Sequence, residues 1–112
     1  MNRDLASLVD ALIFAKRITD FTQNMEEEDF ANDLKTQAAV MYEISVLGEA
    51  MRRISTEFYE KNPQIPYKQI IGMRNKLVHD YDGINTALVW SVSQVQIPEL
   101  INILELILSN PQ

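Results

Sequence analysis

Gly72-Met73-Arg74-Asn75-Lys76-Leu77-Val78-His79-Asp80-Tyr81 is the stretch on which the reading of this chain turns. It holds the only histidine of the protein and crowds arginine, asparagine, lysine and tyrosine into ten positions. Wound at about 100° per residue, it places Ile70, Met73, Leu77 and Tyr81 on one stripe, and Arg74 falls among them. Gly72, Asn75 and His79 gather on the opposite side. The stretch therefore predicts a helix whose apolar face carries a cation and whose outer face carries a lone imidazole. Both placements ask for a reason, structural or chemical.

Working outward, Pro66 suits a first helical position and Gly83 suits a helix end, so the predicted helix runs from near Pro66 to near Tyr81. Upstream, Asn62-Pro63-Gln64-Ile65-Pro66 stops a long helix predicted over residues 30–61. The middle of that helix, residues 36–51, carries only Glu43 and Glu49 as charges. A helix apolar nearly all round must be buried on several sides, which in so small a protein calls for a second subunit. Gly48 weakens this helix and predicts close approach by another backbone. A carboxylate in that tight place needs a cation, and Arg74 needs an anion. Glu49 is the expected partner of Arg74, with Glu43 as the substitute.

The flanks are ordinary by comparison. Asp4 is placed as the cap of a first helix reaching about Thr22, with Leu5, Leu8, Val9, Leu12 and Ala15 at amphipathic spacing. Glu26-Glu27-Glu28-Asp29 is read as a solvated connector whose carboxylates also suit a helix start. Asn85 or Thr86 opens a last helix, which Pro98 should kink or divide, leaving Glu99 in the first turn of the second half. The fold expected is all-α, an antiparallel bundle of four to five helices in one domain over residues 1–112, forming a homodimer.

Composition narrows the function. The 112 residues are 46% hydrophobic with 3 glycines, 4 prolines and no cysteine, which excludes disulfides and thiolate chemistry. A net charge of −6 argues against broad electrostatic capture of nucleic acid, while leaving room for a local basic pocket or a basic partner protein. The amino-terminal residues do not read as a signal peptide and no apolar run is long enough to span a bilayer, so a cytoplasmic protein with no membrane partner is expected. One histidine cannot supply a Ser-His-Asp triad or a metal-ligand spacing, and no phosphate-cradling glycine loop appears; no cofactor or metal is expected.

What remains is Arg74 and His79, with Asn75 and Tyr81 beside them. Histidine exchanges protons near neutrality, and a guanidinium offers a fixed fork of donors to a phosphate. Asn75 and His79, four apart, share a face and could hydrogen-bond. Arg74 and His79 are five apart, so a straight helix splays them by roughly 140°. They can meet one ligand only across a cleft wrapping the helix edge, at the helix end, or at a dimer seam. The opposing reading makes Arg74 half of a buried ion pair and leaves His79 facing solvent without a role.

At this point the residues resemble a known family. Arg74, four residues, His79, one residue, Tyr81 matches the Arg-x4-His-x-Tyr signature of the HEPN superfamily, with Asn75 as the polar residue after the arginine. Residues 71–81 look like the third-helix motif of the HepT-like ribonuclease toxins. Leu47-Gly48-Glu49-Ala50, Pro66-Tyr67, Trp90 and Pro98-Glu99-Leu100 are similar to that branch too. The resemblance implies an all-helical homodimer with the two motifs facing one cleft. It implies a metal-independent endoribonuclease acting as a toxin on an RNA substrate, paired with a minimal nucleotidyltransferase antitoxin. By position, Arg74 and His79 would be catalytic, Asn75 and Tyr81 supporting, and Tyr81 the residue to which the antitoxin adds AMP. Two rival readings stand beside it: a non-catalytic nucleotide- or phosphate-binding module using Arg74 and Asn75, and a protein-interaction module.

Overall fold

The computed structural model describes residues 2–79, 83 and 85–110, and among these every regular element is helical. The elements are α1 (Arg3–Phe21), α2 (Glu27–Ala31), α3 (Leu34–Arg52), α4 (Thr56–Lys61), α5 (Tyr67–His79), α6 (Thr86–Ser91) and α7 (Ile97–Ser109). A π-helical stretch, Val92–Gln96, joins the last two. The four longest, α1, α3, α5 and α7, build the bundle, and the short ones turn the chain between them.

Starts are set by side chains that accept from otherwise unpaired N–H groups. Asn2 accepts from the Asp4 N–H at 2.7 Å, Asp33 from Thr36 at 3.0 Å, Ser55 from Phe58 at 3.1 Å and Asn85 from Leu88 at 3.0 Å. The cap of α1 is thus Asn2 and not the expected Asp4. The Asp4 carboxylate instead spans to Ser55, accepting from its N–H at 2.8 Å and its hydroxyl at 2.7 Å. This ties the start of α1 to the start of α4.

The single helix expected over residues 30–61 is three helices. The polar residues at the breaks, Asn32-Asp33 and Arg52-Arg53, also suit an exposed helix face, so periodicity did not reveal them; the caps Asp33 and Ser55 mark them. Buried Gln37 closes the first break by donating to the carbonyls of Phe30 at 2.8 Å and Ala31 at 3.2 Å. The acidic run also does more than connect, since Asp29 accepts from the Glu26 N–H at 2.9 Å and opens α2.

Near the end of the chain, Pro98 divides the helix without breaking it. Within a regular helix its ring would collide with the carbonyl of Gln94 and leave that oxygen without its donor. The five-residue π stretch ends two residues before Pro98, and its wider turn accommodates the ring, which enters the first turn of α7 together with Glu99.

The core is continuous. α3 lies between α1 and α5, α1 also packs on α7, and α2 bridges α3 and α6. Leu8, Ala15 and Ile18 of α1 meet Val40, Ile44 and Leu47 of α3, with Ile70 and Leu77 of α5 and Leu100 and Leu104 of α7 completing the cluster. Phe30 packs on Trp90 with ring centroids 5.6 Å apart. Tyr59 stacks on Tyr67 at 3.8 Å, and its hydroxyl donates to the Met51 carbonyl, pinning α4 to the end of α3 and the start of α5. One face of α3 stays open in the single chain: Leu34 is 79% and Tyr42 63% exposed, with exposed Ala38 between them.

Candidate functional site

α5 lies along α3 with Ile70 and Leu77 buried against the core, and Arg74 enters the contact between the two helices. Its aliphatic stem runs over Gly48. A Cβ at Gly48 would stand 2.8 Å from Arg74 Cβ and 2.9 Å from Cδ, and nearer still to Cγ. The glycine therefore makes room for a side chain, where the sequence suggested another backbone. Only 17% of the Arg74 side chain is exposed.

The guanidinium is held from two sides. Nη2 lies 3.0 Å from Glu49 Oε1, and Nη1 donates to Asn75 Oδ1 at 3.0 Å. Nε is buried and has no hydrogen-bond partner among the described residues. Glu49 is itself 45% exposed, so it is a rim carboxylate and not an enclosed one, and its Oε1 also meets Arg52 Nη1 at 3.5 Å. Glu43, the substitute partner, faces the other way. It is buried against α1, 3.7 Å from Arg17 Nη1, too long for a hydrogen bond.

His79 is the last residue of α5 and is exposed. With Lys76 it places two basic side chains in the final turn of the helix. Asn75 gives its carbonyl oxygen to Arg74, and no hydrogen bond joins it to His79. Gly72 is exposed, and among the described residues no atom lies within 4 Å of where its Cβ would be. Tyr81 lies outside the described residues. The structure thus brings together Arg74, Asn75 and Glu49, while His79 stands a turn further along the same helix. Arg52 is a site neighbour that the sequence did not single out. Its spacing of three from Glu49 was the available signal.

Among the described residues no three histidine, aspartate or glutamate side chains gather as a metal-binding group. A groove of about 610 Å³ opens elsewhere, between the start of α1, α4 and the end of α7, lined by Asp4, Leu5, Phe58, Lys61 and Leu106 among others. Glu49, Arg74, Asn75 and His79 do not line it.

A family profile described as "HepT-like: Ribonuclease HepT-like" matches residues 11–107. The chain belongs to the HepT-like ribonuclease family. That places it in the HEPN superfamily, as the sequence signature beginning at Arg74 suggested. It is 41% identical over 99 residues to "Putative RNase MJ1216" of Methanocaldococcus jannaschii, covering 88% of this chain and 82% of that protein. It is 37% identical over 83 residues to "Probable ribonuclease HepT" of Thermococcus cleftensis, covering 74% of this chain and 76% of the relative. A third relative, "Putative RNase TTE0752" of Caldanaerobacter subterraneus, is 40% identical over 73 residues, 65% of each chain. No solved structure matches. In this chain Arg74, Asn75 and His79 occupy α5, and Arg74 is the one locked into the contact with α3.

Proposed function

We propose that this protein is an endoribonuclease that cleaves RNA by attack of the ribose 2′-hydroxyl on the adjacent phosphorus. The observation that carries the reading is Arg74: its stem is set over Gly48 and its guanidinium is held by Glu49 and Asn75, on the helix that ends in the only histidine. A preorganised cation aimed at developing phosphoryl charge is the kind of group that lowers such a barrier most.

In the proposed reaction His79 takes the 2′-hydroxyl proton. The O2′–P bond forms, the bond from phosphorus to the 5′-oxygen breaks, and a 2′,3′-cyclic phosphate remains. Arg74 stabilises the charge that builds on the phosphoryl oxygens. Protonation of the departing 5′-oxygen falls to His79 of a second copy or to water. Arg74 and His79, five apart on one helix, diverge by roughly 140°. Two copies facing each other across α5 bring an arginine and a histidine to one phosphate, so a homodimer belongs to the proposal. DNA lacks the attacking hydroxyl and is not a substrate.

The physiological role that fits is a toxin restrained by a nucleotidyltransferase antitoxin, which adds AMP through the Tyr81 hydroxyl. A non-catalytic phosphate-binding module is the second reading. It is favoured by one observation, that His79 is exposed and has no hydrogen bond to Asn75, so nothing in that pair orients the imidazole.

The test is incubation of purified wild type and His79→Ala with single-stranded RNA and with DNA of the same sequence. The wild type should cleave RNA alone, leaving cyclic phosphate ends, and His79→Ala should be at least about 100-fold slower. Equal cleavage by the two proteins would defeat the mechanism, and RNA binding without cleavage would establish the second reading. In the same preparations, mass spectrometry after incubation with the antitoxin and ATP reads AMP addition at Tyr81; an unmodified tyrosine would remove that step alone.

A further inference from the structure

The Arg74–Glu49 pair contains a difficulty for phosphate binding. A guanidinium joined to a carboxylate at 3.0 Å is, as a pair, close to neutral, and a neutral pair offers an incoming phosphate little attraction. The missing charge is supplied by Arg52. Its Nη1 meets the same carboxylate oxygen, Glu49 Oε1, at 3.5 Å, and 54% of its side chain is exposed. Glu49 thus stands between two guanidiniums, one enclosed and one open, and the triad carries a net positive charge. Two nitrogens that touch one oxygen are close enough to grip neighbouring phosphates of a single strand.

The surroundings favour the same ligand. Residues 50–79 hold six basic side chains against two acidic ones, whereas the rest of the chain holds four against fourteen. The protein is acidic overall, yet α5, which bears Arg74, carries Lys68, Arg74 and Lys76 and no carboxylate. Arg53, Lys68 and Lys76 within this segment are all exposed.

We propose that Arg52 forms a second phosphate subsite for RNA beside that of Arg74, with Glu49 spacing the two guanidiniums. This rests on the ribonuclease reading for the identity of the ligand. Arg52 acts on binding of the strand: it contacts the phosphate flanking the scissile one and takes no part in proton transfer. Arginine suits the position because its fork can grip a phosphate through two nitrogens while one still faces Glu49.

The experiment measures affinity for a 2′-O-methyl RNA oligonucleotide, which the proposed chemistry cannot cut, as a function of salt, alongside turnover of unmodified RNA. Arg52→Gln should weaken binding about tenfold and flatten the plot of log affinity against log salt by about 0.7, the contribution of one phosphate on a single strand. Arg52→Lys should retain the salt slope, and Lys16→Gln, a distant charge paired with Glu105, should match the wild type. For unmodified RNA, Arg52→Gln should raise KM about tenfold and leave kcat within about threefold. An unchanged salt slope in Arg52→Gln, or a loss confined to kcat, would mean that Arg52 only steadies Glu49, and the subsite would be refuted with the ribonuclease intact. A wild type that binds the oligonucleotide through Arg52 yet cuts no RNA would retain the subsite and remove the ribonuclease. A wild type that does not bind the oligonucleotide overturns the subsite.

Discussion

At the scale of single residues, the site depends on a missing methyl group. Gly48 sits in the middle of α3, where alanine would normally stabilise the helix by about 1 kcal/mol. The stem of Arg74 occupies the space that a Cβ would need, and the crowded atoms are Cβ, Cγ and Cδ, near the backbone, where the side chain has little freedom to step aside. Gly48→Ala should therefore push α5 away from α3. Overpacking costs of about 1–3 kcal/mol outweigh the propensity gain, so the melting temperature should fall while RNA cleavage drops by about 10-fold or more as Arg74 leaves its place. Thermal unfolding monitored by circular dichroism, with a cleavage assay on the folded protein, checks both. A more stable and fully active Gly48→Ala would show that Arg74 is not held as described. Much of this was legible beforehand: Arg74 in an apolar stripe demanded an anion, and Gly48 beside Glu49 demanded a neighbour. That the neighbour was the stem of Arg74 itself was not legible, because periodicity assigns faces and does not say which helix lies across them.

At the scale of elements, boundaries follow polar caps, and the caps bring pH dependence. The Asp33 carboxyl is held below its ordinary 3.8, first by the Thr36 hydroxyl that donates to it and then by the Thr36 N–H. A lowered folded-state value means stability that is present above pH 3.8 and is lost as pH falls through the folded value. Tyr59 is shifted the other way, its phenol pushed above the ordinary 10.0 by burial. Its contribution is present below pH 10 and is lost as pH climbs beyond that. Stability against pH should therefore fall at both ends. Asp33→Asn, which still caps, should shrink the acid limb. Tyr59→Phe should shrink the alkaline limb and cost roughly 1 kcal/mol at neutral pH through the lost hydrogen bond to Met51. Urea titrations from pH 3 to 11 would read both limbs, and unchanged limbs in the variants would disprove the assignment. These same caps explain what the sequence reading missed. Polar residues such as Asn32-Asp33 and Arg52-Arg53 also occur on any exposed helix face, so one helix was expected where Asp33, Gln37 and Ser55 organise three. The division at Pro98, by contrast, follows from proline's lost donor and could be read directly; the π stretch that accommodates it depends on packing.

At the scale of the whole molecule, the single chain leaves an apolar stripe uncovered. Leu34, Ala38 and Tyr42 follow one another at four-residue spacing along α3, and the same side of the helix continues through Ser45 to Glu49, which holds Arg74. Large exposed apolar side chains in a row mark contact surfaces more often than solvent faces. The proposed chemistry independently needs a second copy, because Arg74 and His79 diverge on their own helix. These two requirements meet if the stripe forms part of the seam between copies and leads to the catalytic groups. The wild type should then sediment at twice the 12.9 kDa of one chain. Tyr42→Lys, a change at a position 63% exposed in the single chain, should leave the helical circular dichroism intact, since surface substitutions usually alter stability by about 0.5 kcal/mol or less. It should nevertheless shift the mass to that of one chain and abolish RNA cleavage, although Arg74, His79, Asn75 and Arg52 are all untouched. Sedimentation equilibrium and a cleavage assay at matched concentrations distinguish the cases. A wild type that cuts RNA as a monomer would sink the two-copy site, and a Tyr42→Lys protein that stays dimeric and active would move the seam to another face.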